Sequence, residues 1–169
     1  MIKIYDTLTR SLREFVPIHE NTVNMYVCGP TVYNYIHVGN GRSAIAFDTI
    51  RRYFEYRGYT VNYISNFTDV DDKIIKAAAK AGMTTKALSD KFIAAFKEDV
   101  AALGVKPATE NPRVIDYMQD IIDFVQILVD KGFAYESSGD VYFRVRKSDN
   151  YAALANKTLE ELEIGASGR

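Results

Sequence analysis

The sequence predicts an α/β fold built on a parallel sheet. Val23-Asn24-Met25-Tyr26-Val27-Cys28 and Tyr59-Thr60-Val61-Asn62-Tyr63-Ile64-Ser65 are both rich in strand formers. Between them Phe47, Ile50 and Phe54 recur at helical spacing, so residues 41–57 read as an amphipathic helix ended by Gly58. Strand, helix, strand over that length is a βαβ unit, and its crossover demands that the two strands run parallel.

The remaining elements follow in chain order. Lys3-Ile4-Tyr5 and Glu14-Phe15-Val16-Pro17-Ile18 read as short outer strands, with Pro17 favouring an edge. The first central strand runs into Gly29-Pro30, a strong break. After the second, Asn66 to Lys73 holds Thr and Asp residues placed to cap a helix that continues to about Ala81. Gly82 interrupts it, Thr84 or Thr85 caps the next, and Leu88, Phe92, Phe96, Val100 and Leu103 give that helix an apolar stripe ended by Gly104. Val105–Pro112 is a polar connection with two prolines, and it marks the expected domain boundary: residues 1–111, then 112–169. A further stripe, Val114, Met118, Ile121, Ile122, Val125, Leu128 and Val129, stops at Gly132. Phe133–Glu136 and Asp140–Val145 flank Ser137-Ser138-Gly139 as a β-hairpin. Ile164–Arg169 is a small-residue ending, readable as a loosely held domain end or as a cut inside a longer chain.

Composition narrows the class without naming a function. With 169 residues, 47% hydrophobic and 25% charged, the chain suits a soluble globular domain with one sizeable core. A net charge of −1 gives no whole-molecule field for nucleic acid, and the scattered Lys and Arg mark no patch. The single cysteine excludes an internal disulfide and fits a reducing, cytoplasmic setting. The first residues lack a signal-peptide pattern, and no apolar run approaches the roughly 18–20 residues of a membrane span. Most of the 12 tyrosines and 9 phenylalanines fall at core-periodic positions, which favours packing over base stacking.

The chemistry concentrates in Cys28-Gly29-Pro30-Thr31-Val32-Tyr33-Asn34-Tyr35-Ile36-His37-Val38-Gly39-Asn40-Gly41-Arg42. This stretch joins a central strand to the helix that leaves it, where open α/β sheets bind their ligands. The unpaired N–H groups of a helix start favour phosphates. Gly39 and Gly41 let a base or phosphate approach the backbone, His37 and Asn40 supply donors, and Arg42 supplies a fork for phosphate. A glycine-rich turn that merely redirects the chain would carry the same glycines. Asp69, Asp71 and Asp72 read first as a helix cap and only second as a magnesium site.

His37-Val38-Gly39-Asn40 resembles the His-Ile-Gly-His signature of class I aminoacyl-tRNA synthetases, with Asn40 in place of the usual final His. Met25 to Tyr33 is similar to the strand and loop of cysteinyl-tRNA synthetases in particular, and Asn66 to Ile75 looks like that family's second block. The resemblance runs from Ile2 to about Leu162. It implies a partial Rossmann-like nucleotide-binding fold over residues 1–111 and the start of an α+β connective insertion over 112–169. It further implies ATP-dependent activation of L-cysteine and transfer to tRNA(Cys), by a monomer that needs no membrane. His37 and Asn40 are then catalytic, Gly29, His37, Gly39 and Asn40 bind the nucleotide with its Mg2+, Thr31 and Thr68 meet the amino acid, and Cys28 is one ligand of a Zn2+. The metal's purpose is chemical: packing separates cysteine from serine poorly, whereas zinc prefers thiolate strongly. One Cys and two His fall short of the roughly three ligands plus an open position that such a site needs, and the resemblance implies that the family's remaining ligands lie beyond residue 169. No Lys-Met-Ser-Lys-Ser-like loop is present, so this segment alone is expected to be inactive. Two alternatives stay open: a ligase of thiol biosynthesis that joins cysteine to an amino sugar, and a non-catalytic nucleotide-binding module. For Cys28 itself the alternative is a buried thiol packing as a small hydrophobe.

Overall fold

The computed structural model describes residues 1–157 and Leu159. The expected ending Ile164–Arg169 lies outside the described residues. Two compact units divide the chain: Pro17–Gln119, and a second formed by Met1–Val16 with residues from Asp120 onward.

The first unit is built on the βαβ crossover. β3 (Thr22–Val27) pairs in parallel with β4 (Thr60–Ser65), in a register that sets Val23 against Val61 and Val27 against Ser65. Between them α1 (Val38–Tyr56) covers one face, where Phe54 is buried and meets Tyr59 edge-on with centroids 5.6 Å apart. Gly58, at φ 88°, then reverses the chain into β4, a conformation glycine adopts without the steric cost of a Cβ.

α2 (Asp72–Ala81) and α3 (Thr85–Ala102) form the main core with the loops between the strands and helices. Val32, Phe67, Ile74, Ala78, Leu88, Phe92 and Ile93 are its buried members. Fully burying a side chain of the size of Phe67 or Ile74 stabilises by about 1.5–3 kcal/mol. Asp71 caps α2, its carboxylate accepting from Lys73 N–H at 2.7 Å, and Thr84 caps α3 through Ala87 N–H at 3.1 Å. Both caps fall where the sequence places them.

The stretch Val105–Pro112 differs from its reading as a mere connection. Thr109 to Val114 runs alongside β4 as an extended third lane: Thr109 N–H donates to Tyr63 O, Ser65 N–H to Glu110 O, Phe67 N–H to Pro112 O and Val114 N–H to Phe67 O. Parallel bridges join Ile64 to Glu110 and Phe67 to Arg113. Pro112 enters the ladder through its carbonyl alone, and Ser65 O, the acceptor an N–H at this position could meet, is taken instead by Asn111 Nδ2 at 2.7 Å.

In the second unit β1 (Lys3–Asp6) and β2 (Ser11–Glu14) form an antiparallel hairpin. The second strand lies earlier than expected and Pro17 falls outside it, because the Asp6 side chain closes the turn by accepting from Leu8 N–H and Thr9 Oγ1. The first unit closes on a 3-10 turn at Val114–Tyr117, from which the chain continues as α4 (Met118–Asp130); none of the residues of α4 is buried despite the apolar stripe. β5 (Ala134–Ser137) and β6 (Asp140–Phe143) form the predicted hairpin, with positive φ at both Ser138 and Gly139 in the turn. Among the described residues no helix is long and apolar enough to cross a membrane.

Candidate functional site

The site begins at the first turn of α1, which starts three residues earlier than periodicity places it. His37 is the N-cap, in an extended conformation, and its Nδ1 accepts from Gly39 N–H at 3.0 Å. Asn40 closes the box in return, its Oδ1 accepting from His37 N–H at 3.2 Å. Ser or Thr with Glu or Gln normally fill these two positions; here the signature residues do the same work. Gly39 makes it possible, since a Cβ there would stand 2.7 Å from His37 Cε1. With Nδ1 held as an acceptor, Nε2 is left as the ring's outward donor.

A second set of contacts joins the two motif blocks at the carboxyl ends of the strands. Gly29 N–H donates to Asn66 Oδ1 at 2.9 Å. The backbones are so close that a Cβ on Gly29 would lie 1.6 Å from Asn66 O, so only glycine fits. Beyond this contact Thr31 and Thr68 form a parallel bridge, with Val32 N–H donating to Thr68 O at 3.2 Å and Thr68 N–H to Pro30 O at 3.1 Å. Asn66 Nδ2 also reaches Thr68 Oγ1 at 3.4 Å. Asn66 is therefore a site residue that the motif reading quoted but gave no role. Its partner lies 37 residues away, and no local pattern records such a pairing.

Two cavities flank α1. One of about 380 Å³ is lined by Cys28, Gly29, Asn40, Ser65 and Lys97 among others. The other, about 750 Å³ and shallower, is lined by His37, Arg42, Ile45, Asp99 and Leu103. The structure thus brings Cys28, Gly29 and Asn40 together and places His37 on the opposite side of the helix start. Gly39 and the Thr31–Thr68 pair lie outside both linings. Cys28 is exposed, its Sγ–H donating to Gly29 O at 3.8 Å, so it is not the buried thiol that was the alternative. Among the described residues no three His, Cys, Asp or Glu side chains gather as a metal set. Cys28 can therefore offer one ligand but not a complete site.

Charged side chains fix the surroundings. Asp48, buried on α1, accepts from Arg52 Nε at 2.7 Å and from Lys106 N–H at 3.2 Å. Glu55 receives Lys106 and Arg51, and these bonds hold its carboxyl below the usual range. Tyr63, which lines the first cavity, has its phenol pushed up by burial. The acidic run separates by role. Asp71 caps α2, whereas Asp69 is buried and accepts from Arg113 Nε at 2.8 Å and Ile115 N–H at 3.1 Å.

A family model described as the catalytic domain of class I tRNA synthetases (C) matches residues 14–169. The chain belongs to this family. It is 81% identical over all 169 residues to a cysteine–tRNA ligase of Streptococcus thermophilus, and 80% identical to one of Streptococcus agalactiae. It spans 38% of the length of each of these relatives. Among solved structures it is similar to a methionyl-tRNA synthetase of Mycobacterium tuberculosis bound to methionyl-adenylate, with a TM-score of 0.62 at 22% identity over 68% of this chain and 23% of that one. A leucyl-tRNA synthetase of Agrobacterium radiobacter K84 also reaches a TM-score of 0.62, at 21% identity over 72% of this chain and 16% of that one. At such identity these two speak for the class I synthetase fold alone, and they agree with the Rossmann-like architecture read from the βαβ pattern.

Proposed function

We propose that this chain supplies the first part of the active site of a cysteine–tRNA ligase. The observation that carries the reading is the helix start at the end of the parallel strands, where Asn40 of the His37–Asn40 box lines a cavity together with Cys28 and Gly29. In the reaction a carboxylate oxygen of cysteine attacks the α-phosphorus of ATP, and pyrophosphate leaves with the bonding pair. The terminal ribose hydroxyl of tRNA(Cys) then takes the cysteinyl group from the adenylate and AMP departs.

His37 and Asn40 serve the phosphates. The free Nε2–H of His37 is the donor that its capping role leaves available, and it gains strength as charge builds on the phosphate oxygens. Gly39 and Gly29 let the nucleotide lie close to the backbone, and Thr31 with Thr68 meets the amino acid. These groups act by positioning and charge stabilisation. Cys28 would hold a zinc ion with ligands from outside the described residues, and the metal would read the substrate sulfur by its preference for thiolate. Residues 1–111 form the first half of the catalytic domain in this reading, and 112–169 begin the connective insertion. Mg2+ accompanies the ATP, and the parent protein acts as a cytoplasmic monomer.

The test is cysteine-dependent ATP–pyrophosphate exchange by the full-length protein that carries this chain. His37→Ala lowers kcat by about a hundredfold or more, as loss of a transition-state donor should. The 169-residue chain alone gives no steady exchange. Cys28→Ser lowers bound zinc, measured by metal analysis and therefore without reference to activity. Exchange that ignores cysteine, or that survives in His37→Ala at the wild-type rate, would overturn the assignment.

A further inference from the structure

The segment that carries Thr68 is held from both sides. On one side its backbone pairs with Pro30 and Val32, and on the other Phe67 pairs with Pro112 and Val114. Asp69 adds a side-chain clamp that neither ladder requires. Its carboxyl is 2% exposed, and both oxygens are engaged, Oδ2 by Arg113 Nε at 2.8 Å and Oδ1 by Ile115 N–H at 3.1 Å. Arg113 reaches in the other direction with Nη1, which donates to Asp90 Oδ1 on α3 at 2.8 Å. The guanidinium therefore ties the end of the third lane to the residue after Thr68 and to a core helix. Its charged form is favoured chiefly by the hydrogen bond to Asp69.

A buried ion pair is poor evidence for stability as such, because desolvation offsets much of the attraction. What it does supply is geometry. A carboxylate with both oxygens fixed sets the backbone of its own residue, and Thr68 is bonded directly to it. We infer that Arg113 is a positioning residue for the amino-acid site: through Asp69 it fixes Thr68, and through the Thr31–Thr68 bridge it fixes the loop leaving Cys28. The inference rests on the proposed function for the role of Thr31 and Thr68.

The test uses the full-length protein with Arg113→Gln, Arg113→Lys and Asp90→Ala, the last removing the outer arm of the clamp together with the exposed Lys86–Asp90 pair. Arg113→Gln raises KM for cysteine about tenfold and leaves KM for ATP within about twofold, a split that loss of a merely structural contact does not produce. Arg113→Lys, which keeps the charge and one bond, recovers part of the loss and covers the case in which the glutamine variant folds poorly. Asp90→Ala stays close to wild type. Hydrogen exchange read by mass spectrometry should quicken at Thr68 and Val32 while α1 is unchanged. Equal rises in both KM values, or an unchanged KM for cysteine with unchanged exchange at Thr68, overturns the inference. If the wild-type protein shows no cysteine-dependent exchange, the proposed function itself fails. The inference then falls with it, and faster hydrogen exchange at Thr68 would mark a clamp with no amino-acid site to position.

Discussion

At the scale of single residues, close approach decides more than chemistry. Gly29 reads in sequence as a break after a strand, and it is one, but what forbids any other residue is Asn66 O at 1.6 Å from a would-be Cβ. Gly29→Ala should therefore destabilise by about 2–4 kcal/mol, since a backbone atom cannot swing aside as a side chain would. A lowered urea midpoint with an unchanged slope would show it. Ser89 is the opposite case: its hydroxyl is buried on α3 with no hydrogen-bond partner. An unsatisfied buried hydroxyl costs about 1–3 kcal/mol, so Ser89→Ala should raise Tm rather than lower it. Helical periodicity marks residue 89 only as lying beside the apolar Leu88. Whether its hydroxyl finds a partner depends on the neighbouring elements, which the stripe does not record.

At the scale of elements, stops were more legible than starts. Gly58, Gly82, Gly104 and Gly132 all take positive φ where the sequence ends a helix. The start of α1 was not legible from apolar spacing, because its first turn is held by the His37–Asn40 box rather than by a packed face. α2 shows the more usual signal. Asp71→Ala should cost about 1 kcal/mol by releasing the Lys73 N–H, and chemical denaturation would register the change. The third lane beside β4 escaped because two prolines argue locally against a strand, although Pro112 joins the ladder through its carbonyl while Thr109 and Val114 supply the N–H donors.

At the scale of the molecule, charge ties α1 to the segment that follows α3. Glu55 meets Lys106 and Arg51, and its carboxyl sits below the ordinary value of 4.5. A lowered folded pKa contributes stability above the unfolded value and loses it as pH falls through the folded one. The stability gap between wild type and Glu55→Gln should therefore be widest near neutrality and should close as the pH falls through the lowered folded value. Urea titrations at a series of pH values would follow it, and a gap that widened in acid would contradict the pairing. Partial exposure of both side chains keeps the effect small, on the order of 1 kcal/mol or less.

The sequence by itself determined the order of the elements, the parallel crossover, and the two stretches on which the proposed site is built, from Cys28 to Arg42 and around Thr68. Those features are local, written in periodicity, caps and stops within a few residues of one another. Tertiary structure decided which of them meet. Gly29 finds Asn66 across 37 residues, and Asp69 finds Arg113 across 44, because the register of parallel strands sets those distances and no single segment encodes a register. The same register exposes Cys28 beside Asn40 and turns His37 to the far side of α1, a division of the signature that its consecutive spelling conceals.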